Sequence, residues 1–136
     1  MSAEQSVFFY GLFMDSDLLR AKGLRPGLAR IGYIDGYALG LGARAYVKPS
    51  PGGRVYGTVM SLGPDDRIRL YAEPSVSDYR PMEVVVHLPG EGAVRAVTYN
   101  LPEAPSAGTP NPSYAERLRE VAGRLGLPTE YVASIR

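Results

Sequence analysis

Cysteine is absent from the 136 residues, and histidine occurs once, at His87. Without thiols, disulfides and thiolate metal sites are both excluded. A lone imidazole removes most histidine-rich metal sites and any Ser-His-Asp relay built from several candidates. An excess of one charge is also missing: 15 Lys and Arg residues stand against 14 Asp and Glu, with no long like-charge run. Electrostatic capture of nucleic acid or membrane is therefore not expected. No apolar run approaches the length of a membrane span, and the N-terminus lacks a charged start followed by a long apolar region. The expectation is a soluble, cytoplasmic protein. Asn111-Pro112-Ser113 looks like a glycosylation acceptor, but proline in its middle position disqualifies it.

Glycine and proline are plentiful instead, at 16 and 12 residues, while apolar residues still make up 45%. That balance predicts many turns rather than disorder. A chain of this length fits one domain, residues 1–136, and buries roughly two-thirds of the surface its unfolded form exposes. "SVFFY" reads as a strand, and "DSDLLRAKG" as a short helix that Asp15 or Ser16 caps and Gly23 ends. "GLARIGYIDGYALGLG" reads as a glycine-bent or bulged strand. "RAYVK" and "RVYGTVMSL" read as two strands joined in a hairpin by "PSPGG". "GPDDRIRLYAE" reads as a helix with Pro64 at its first position, two acids in its first turn, and Ile68 and Leu70 to Ala72 on a buried face.

"YRPMEVVVHL" and "AVRAVTYNL" flank "PGEG" as a second hairpin, and a loop rich in Pro, Ala and Ser follows. In "PSYAERLREVAGRLG", Tyr114, Leu118, Val121, Ala122 and Leu125 share one helical face, with Ser113 and Glu116 at capping-box spacing. "PTEYVASI" closes the chain as a short helix. The sum is an α+β fold, its strands joined by hairpins and short helices and curled into a small barrel.

Several segments carry candidate chemistry. "GLGARA" matches the letters of a dinucleotide fingerprint, but Pro49 and Pro51 follow where that fingerprint needs a helix, so a bent strand is the better reading. His87 falls at a strand end and reads as a surface residue. Glu73 closes the helical pattern "IRLYAE" and is followed at once by proline, so its carboxylate projects from the helix end. The negative end of the dipole disfavours a charge there, a setting suited to a general base; a solvated helix-end glutamate is the commoner arrangement. Asp78, Glu83 and Glu91 are rival carboxylates. In "SVFFYGLFM" the apolar run passes straight through Gly11. Glycine lets a ligand approach the main chain, and a tucked-in loop would aim backbone N–H groups into a cavity. An ordinary strand-to-helix turn made of core residues fits the same letters.

The order of these pieces resembles the γ-glutamylcyclotransferase-like family, which includes AIG2-like proteins. "FFYGLFM" is similar to that family's Y-G-S/T-x-M/L loop, and "RVYGTVMSL" to its V-x-G-x-x-x-x-L strand. "LYAEPSVSDYRPMEVVV" resembles the segment in which a glutamate ends a helix, an aromatic follows, and a valine-rich strand begins. "PNPSYAERLREVAGRLGLPTEYVASI" resembles the P-S-x-x-Y…G-x-x-x-x-G-L-P-x-x-Y ending. The resemblance implies a mixed β-barrel flanked by helices. It also implies a reaction in which a γ-glutamyl amide cyclises to 5-oxoproline and releases its amine.

Carried over by position, Glu73 is the implied acid/base, Tyr10, Gly11, Leu12, Phe13 and Met14 the substrate-binding loop, and Tyr79 the aromatic after the glutamate. Leu12 stands where a small hydroxyl residue is usual, and Pro74 where glycine is common. The implied partner is a small γ-glutamyl compound, with no metal and no cofactor. A non-catalytic binding module of the same fold, and a structural protein with an unused cavity, are the alternatives.

Overall fold

The computed structural model describes residues 5–42, 44–74, 76–102 and 111–135. Five strands make a closed barrel: β1 (Gln5–Phe9), β2 (Arg30–Leu41), β3 (Ala45–Leu62), β4 (Arg80–Leu88) and β5 (Gly92–Asn100), in the spatial order β1-β3-β2-β4-β5. Neighbours run antiparallel except at the closure, where β1 lies parallel to β5 with Val7 opposite Val97. Four helices lie outside: α1 (Ser16–Ala21), α2 (Pro64–Tyr71), α3 (Pro112–Leu125) and α4 (Thr129–Ser134). Among the described residues, no helix is long and apolar enough to cross a membrane.

The unbroken apolar run in β1 follows from burial of both its faces. Side chains alternate across a strand. Phe8 and Tyr10 enter the barrel interior with Ile34, Val55, Val59, Val84, Val86 and Ala96. Val7 and Phe9 face a second core, shared with Leu19, Met60, Leu62, Leu70, Leu118 and Ala122 beneath the helices. Two buried threonines anchor this strand and its exit: Thr98 Oγ1 donates to the Phe8 carbonyl at 2.8 Å, and Thr58 Oγ1 to the Met14 carbonyl at 3.0 Å. Gly57 of β3 lies so close to β1 that a Cβ there would sit 2.0 Å from the Phe9 carbonyl oxygen. That is a physical reason for glycine in "VYGTV".

Three local readings change. "PSPGG" does not turn a hairpin, because residues 45–62 form one strand. Tyr37 pairs with Pro49 and Asp35 with Arg54, so the Pro/Gly run bulges out between them while β2 pairs on both sides. The α3 cap is Asn111, whose Oδ1 accepts from the Tyr114 N–H at 3.1 Å, rather than Ser113. Ile68 is 69% exposed, leaving Leu70 as the buried residue of α2. The β4–β5 hairpin, the Asp15 cap of α1 and Pro64 at the start of α2 form as the sequence predicts. The Pro/Ala/Ser-rich loop falls largely on residues 103–110, outside the described residues.

Candidate active site

Beyond β1 the chain passes Gly11 and closes a single 3₁₀ turn, Leu12–Met14, in which the Met14 N–H donates to the Gly11 carbonyl at 3.0 Å. Tyr10, Gly11, Leu12 and Phe13 line a cavity of about 340 Å³ at the barrel mouth. Tyr79, which precedes β4, lines it as well. Met14 does not: it is buried in the core beneath the helices, and Thr58 holds its carbonyl.

Glu73 is also outside the lining. Two successive turns follow α2, with the Val76 N–H on the Glu73 carbonyl and the Tyr79 N–H on the Val76 carbonyl, both at 3.0 Å. They carry Val76 and Tyr79 to the cavity, whereas the Glu73 carboxylate meets Lys22 Nζ at 2.9 and 3.2 Å. The pair abuts the cavity wall, because Lys22 Nζ lies 5.7 Å from the ring centroid of Phe13. Its side chains are 29% and 33% exposed, so both charges keep contact with water.

The wall is mostly aromatic. Tyr71 stacks on Tyr99 with ring centroids 3.7 Å apart, and Phe13 meets Tyr71 edge to face at 6.4 Å. The Tyr79 hydroxyl donates to the Ala45 carbonyl, and Tyr10 Oη donates to the Tyr99 carbonyl at 2.8 Å. Asn100 clamps the two strand ends by pairing its side-chain amide with both backbone groups of Val47, at 2.9 and 3.0 Å. Burial raises the phenols of Tyr10, Tyr71 and Tyr114, and pushes Tyr79 up to about 12. These rings are therefore neutral donors and acceptors across ordinary pH.

Tyr114 was foreseen as part of an apolar helical face, but not as a wall of the site. Its ring joins Leu12 and Ala45 in the lining. A Cβ on Gly11 would lie 2.9 Å from the Tyr114 hydroxyl oxygen, so glycine makes room for the phenol as much as for a ligand. The loop expected to stand open thus already has a neighbour at Gly11. Sequence reasoning also missed Arg44 and Arg117, which come from the β2–β3 turn and from α3 and are the charged groups of the lining. Arg44 grips Asp78 through two 2.7 Å bonds and lies 5.2 Å from the Tyr79 ring centroid. No periodic signal links such distant positions; the chain's ten tyrosines were the available hint.

Of the rival carboxylates, Asp78 is held by Arg44, Glu83 faces outward from β4, and Glu91 lies 3.7 Å from Arg30. His87 stacks on Tyr33 on the barrel's outer surface, with Asp35 at 3.7 Å. Among the described residues, no group of three or more His, Asp or Glu side chains is placed to hold a metal ion.

The AIG2-like family model matches residues 54–135, and the chain belongs to that family. Solved structures share its fold. A γ-glutamyl cyclotransferase superposes with a TM-score of 0.83 at 22% identity, over 98% of this chain and 88% of that one. An uncharacterized protein from Homo sapiens gives 0.83 at 21% identity, over the same shares. An AIG2-like protein from Mus musculus gives 0.55 at 15% identity, over 92% and 84%. A search of curated proteins finds no match.

Proposed function

We propose that this protein is a γ-glutamylcyclotransferase-type enzyme, converting a γ-glutamyl amide to 5-oxoproline and a free amine. The observation that carries the reading is the cavity built on the Tyr10–Phe13 loop and closed by Tyr79, in a chain of the AIG2-like family. The substrate's α-amine attacks its own γ-carbonyl carbon, the bond to the departing nitrogen breaks, and one proton passes from the attacking to the leaving nitrogen. Nucleophile and electrophile share one molecule, so holding a folded conformer supplies much of the acceleration. Aromatic walls suit that task.

Glu73 takes the amine proton and returns it to the leaving group, a role worth ~10² to 10⁴ in rate. To do so it exchanges Lys22 for the substrate's own ammonium. A pair this exposed is worth about 1 kcal/mol or less, so the exchange is inexpensive. Loop amides around Gly11 and Phe13, with the Tyr114 hydroxyl beside them, steady the developing oxyanion. Leu12 supplies no side-chain hydrogen bond to it.

A second reading, a binding module without turnover, is favoured by the Lys22 pairing and by Pro74, which stiffens the segment after Glu73. Glu73→Gln separates the two, keeping shape while removing the proton acceptor. Release of 5-oxoproline from γ-glutamyl compounds by the wild type, lost in the variant, supports the enzyme. Saturable binding by both forms without product supports the module.

A further inference from the structure

The cavity has an electrostatic bias that bears on the departing amine. Among the described residues its lining holds two arginines and no carboxylate. Arg44 is met by Asp78 across two 2.7 Å bonds, and the nearby Glu73 is met by Lys22. Arg117 differs: among the described residues it forms no ion pair, although Glu116 and Glu120 share its helix. It stands exposed at the rim, one turn along α3 from Tyr114. Once the neighbouring pairs cancel, the mouth carries one positive charge above an aromatic interior. Such a mouth attracts an anion and repels a cation, and a guanidinium suits a carboxylate's paired oxygens.

We propose that Arg117 selects the leaving group: the preferred substrate, on the cyclotransferase reading above, is a γ-glutamyl amino acid whose departing half has a free carboxylate and an apolar or aromatic side chain. The carboxylate pairs with Arg117, and the side chain lies against the Phe13, Tyr71 and Tyr99 rings. Amines with a second ammonium group are excluded, since no acid among the described lining residues would receive it.

Three compounds sharing the γ-glutamyl half test this: γ-glutamyl-phenylalanine, γ-glutamyl-phenethylamine (the same molecule without the carboxylate) and γ-glutamyl-putrescine. For the wild type, kcat/KM is expected to fall about tenfold from the first to the second, and further for the third. In Arg117→Met the first two converge, and Arg117→Lys restores part of the preference. If no compound is turned over, calorimetric binding is measured on the same set. About tenfold tighter binding of the phenylalanine conjugate, erased in Arg117→Met, then upholds the charge selection and refutes catalysis. Equal turnover or equal binding of all three compounds overturns the selection alone. Binding of none overturns both.

Discussion

Lys22 Nζ lies 2.9 Å and 3.2 Å from the two carboxylate oxygens of Glu73, joining the end of α1 to the end of α2. Phe13 sits beside that pair with its ring in the cavity wall, so the candidate base and the candidate pocket share one aromatic partition. Lys22→Met is expected to cost about 1 kcal/mol of stability or less, read by denaturant unfolding. On the proposed mechanism the pair opens for the carboxylate to work, so 5-oxoproline formation in this variant should equal or exceed that of the wild type. A tenfold or greater fall, by contrast, would make Lys22 a support for the working position of Glu73.

Gly57→Ala tests how the Tyr10–Phe13 loop is aimed. The added Cβ would sit 2.0 Å from the Phe9 carbonyl oxygen and 2.9 Å from Phe8 Cζ, so the end of β1 has to move. A loss of about 1–3 kcal/mol is expected, the usual range for overpacking. Ligand affinity should fall more than stability alone explains, because Tyr10 and Gly11 follow directly on the displaced segment. Unfolding midpoints and calorimetric binding on the same sample separate the two effects.

Alkaline pH should unfold the protein in a proton-linked manner. Burial raises the phenols of Tyr10, Tyr71, Tyr79, Tyr114 and Tyr131, with Tyr79 and Tyr131 pushed up to about 12. Their folded values lie above the unfolded value of about 10, so this stabilisation is whole below pH ~10 and disappears as pH rises through the folded values. Tyrosinate absorbance and circular dichroism should change together above pH ~10. Ionisation of these five rings without loss of structure would contradict the burial assigned to them.

Asp78 provides an acid-side check. Its double hydrogen bond with Arg44 lowers its carboxyl to about 2. The contribution is present above the ordinary value of about 4 and disappears as pH falls toward 2. A side-chain NMR titration should place the midpoint near 2 in the wild type. In Arg44→Met it should return toward about 4.

What could be read from sequence was local. Asp15 caps α1 because its carboxylate reaches the Asp17 N–H two residues on, and the β4–β5 hairpin turns where Gly90 and Gly92 take positive φ. "PSPGG" misleads for a tertiary reason: its Pro and Gly favour a turn, yet β2 holds the chain on both flanks and forces a bulge. Asn111 outcompetes Ser113 for the α3 cap by standing one residue before Pro112. Family resemblance grouped Tyr10 to Met14 with Tyr79; of these, Tyr10 to Phe13 and Tyr79 line one cavity, and Met14 lies in the core. Nothing local marked Lys22 as the partner of Glu73, nor Arg44, Tyr114 and Arg117 as sharing a cavity with Gly11. Those relations are tertiary, made between elements distant in sequence.

The seat of β1 has a temporal consequence. Val7 lies between Met60 of β3 and Val97 of β5, and the bond that locks the strand joins Thr98 to Phe8, 90 residues apart. During synthesis this early strand has half a berth until the last strand emerges. Barrel closure, placement of Gly11 and the appearance of a ligand pocket therefore coincide, and nascent chains that end before β5 should bind nothing.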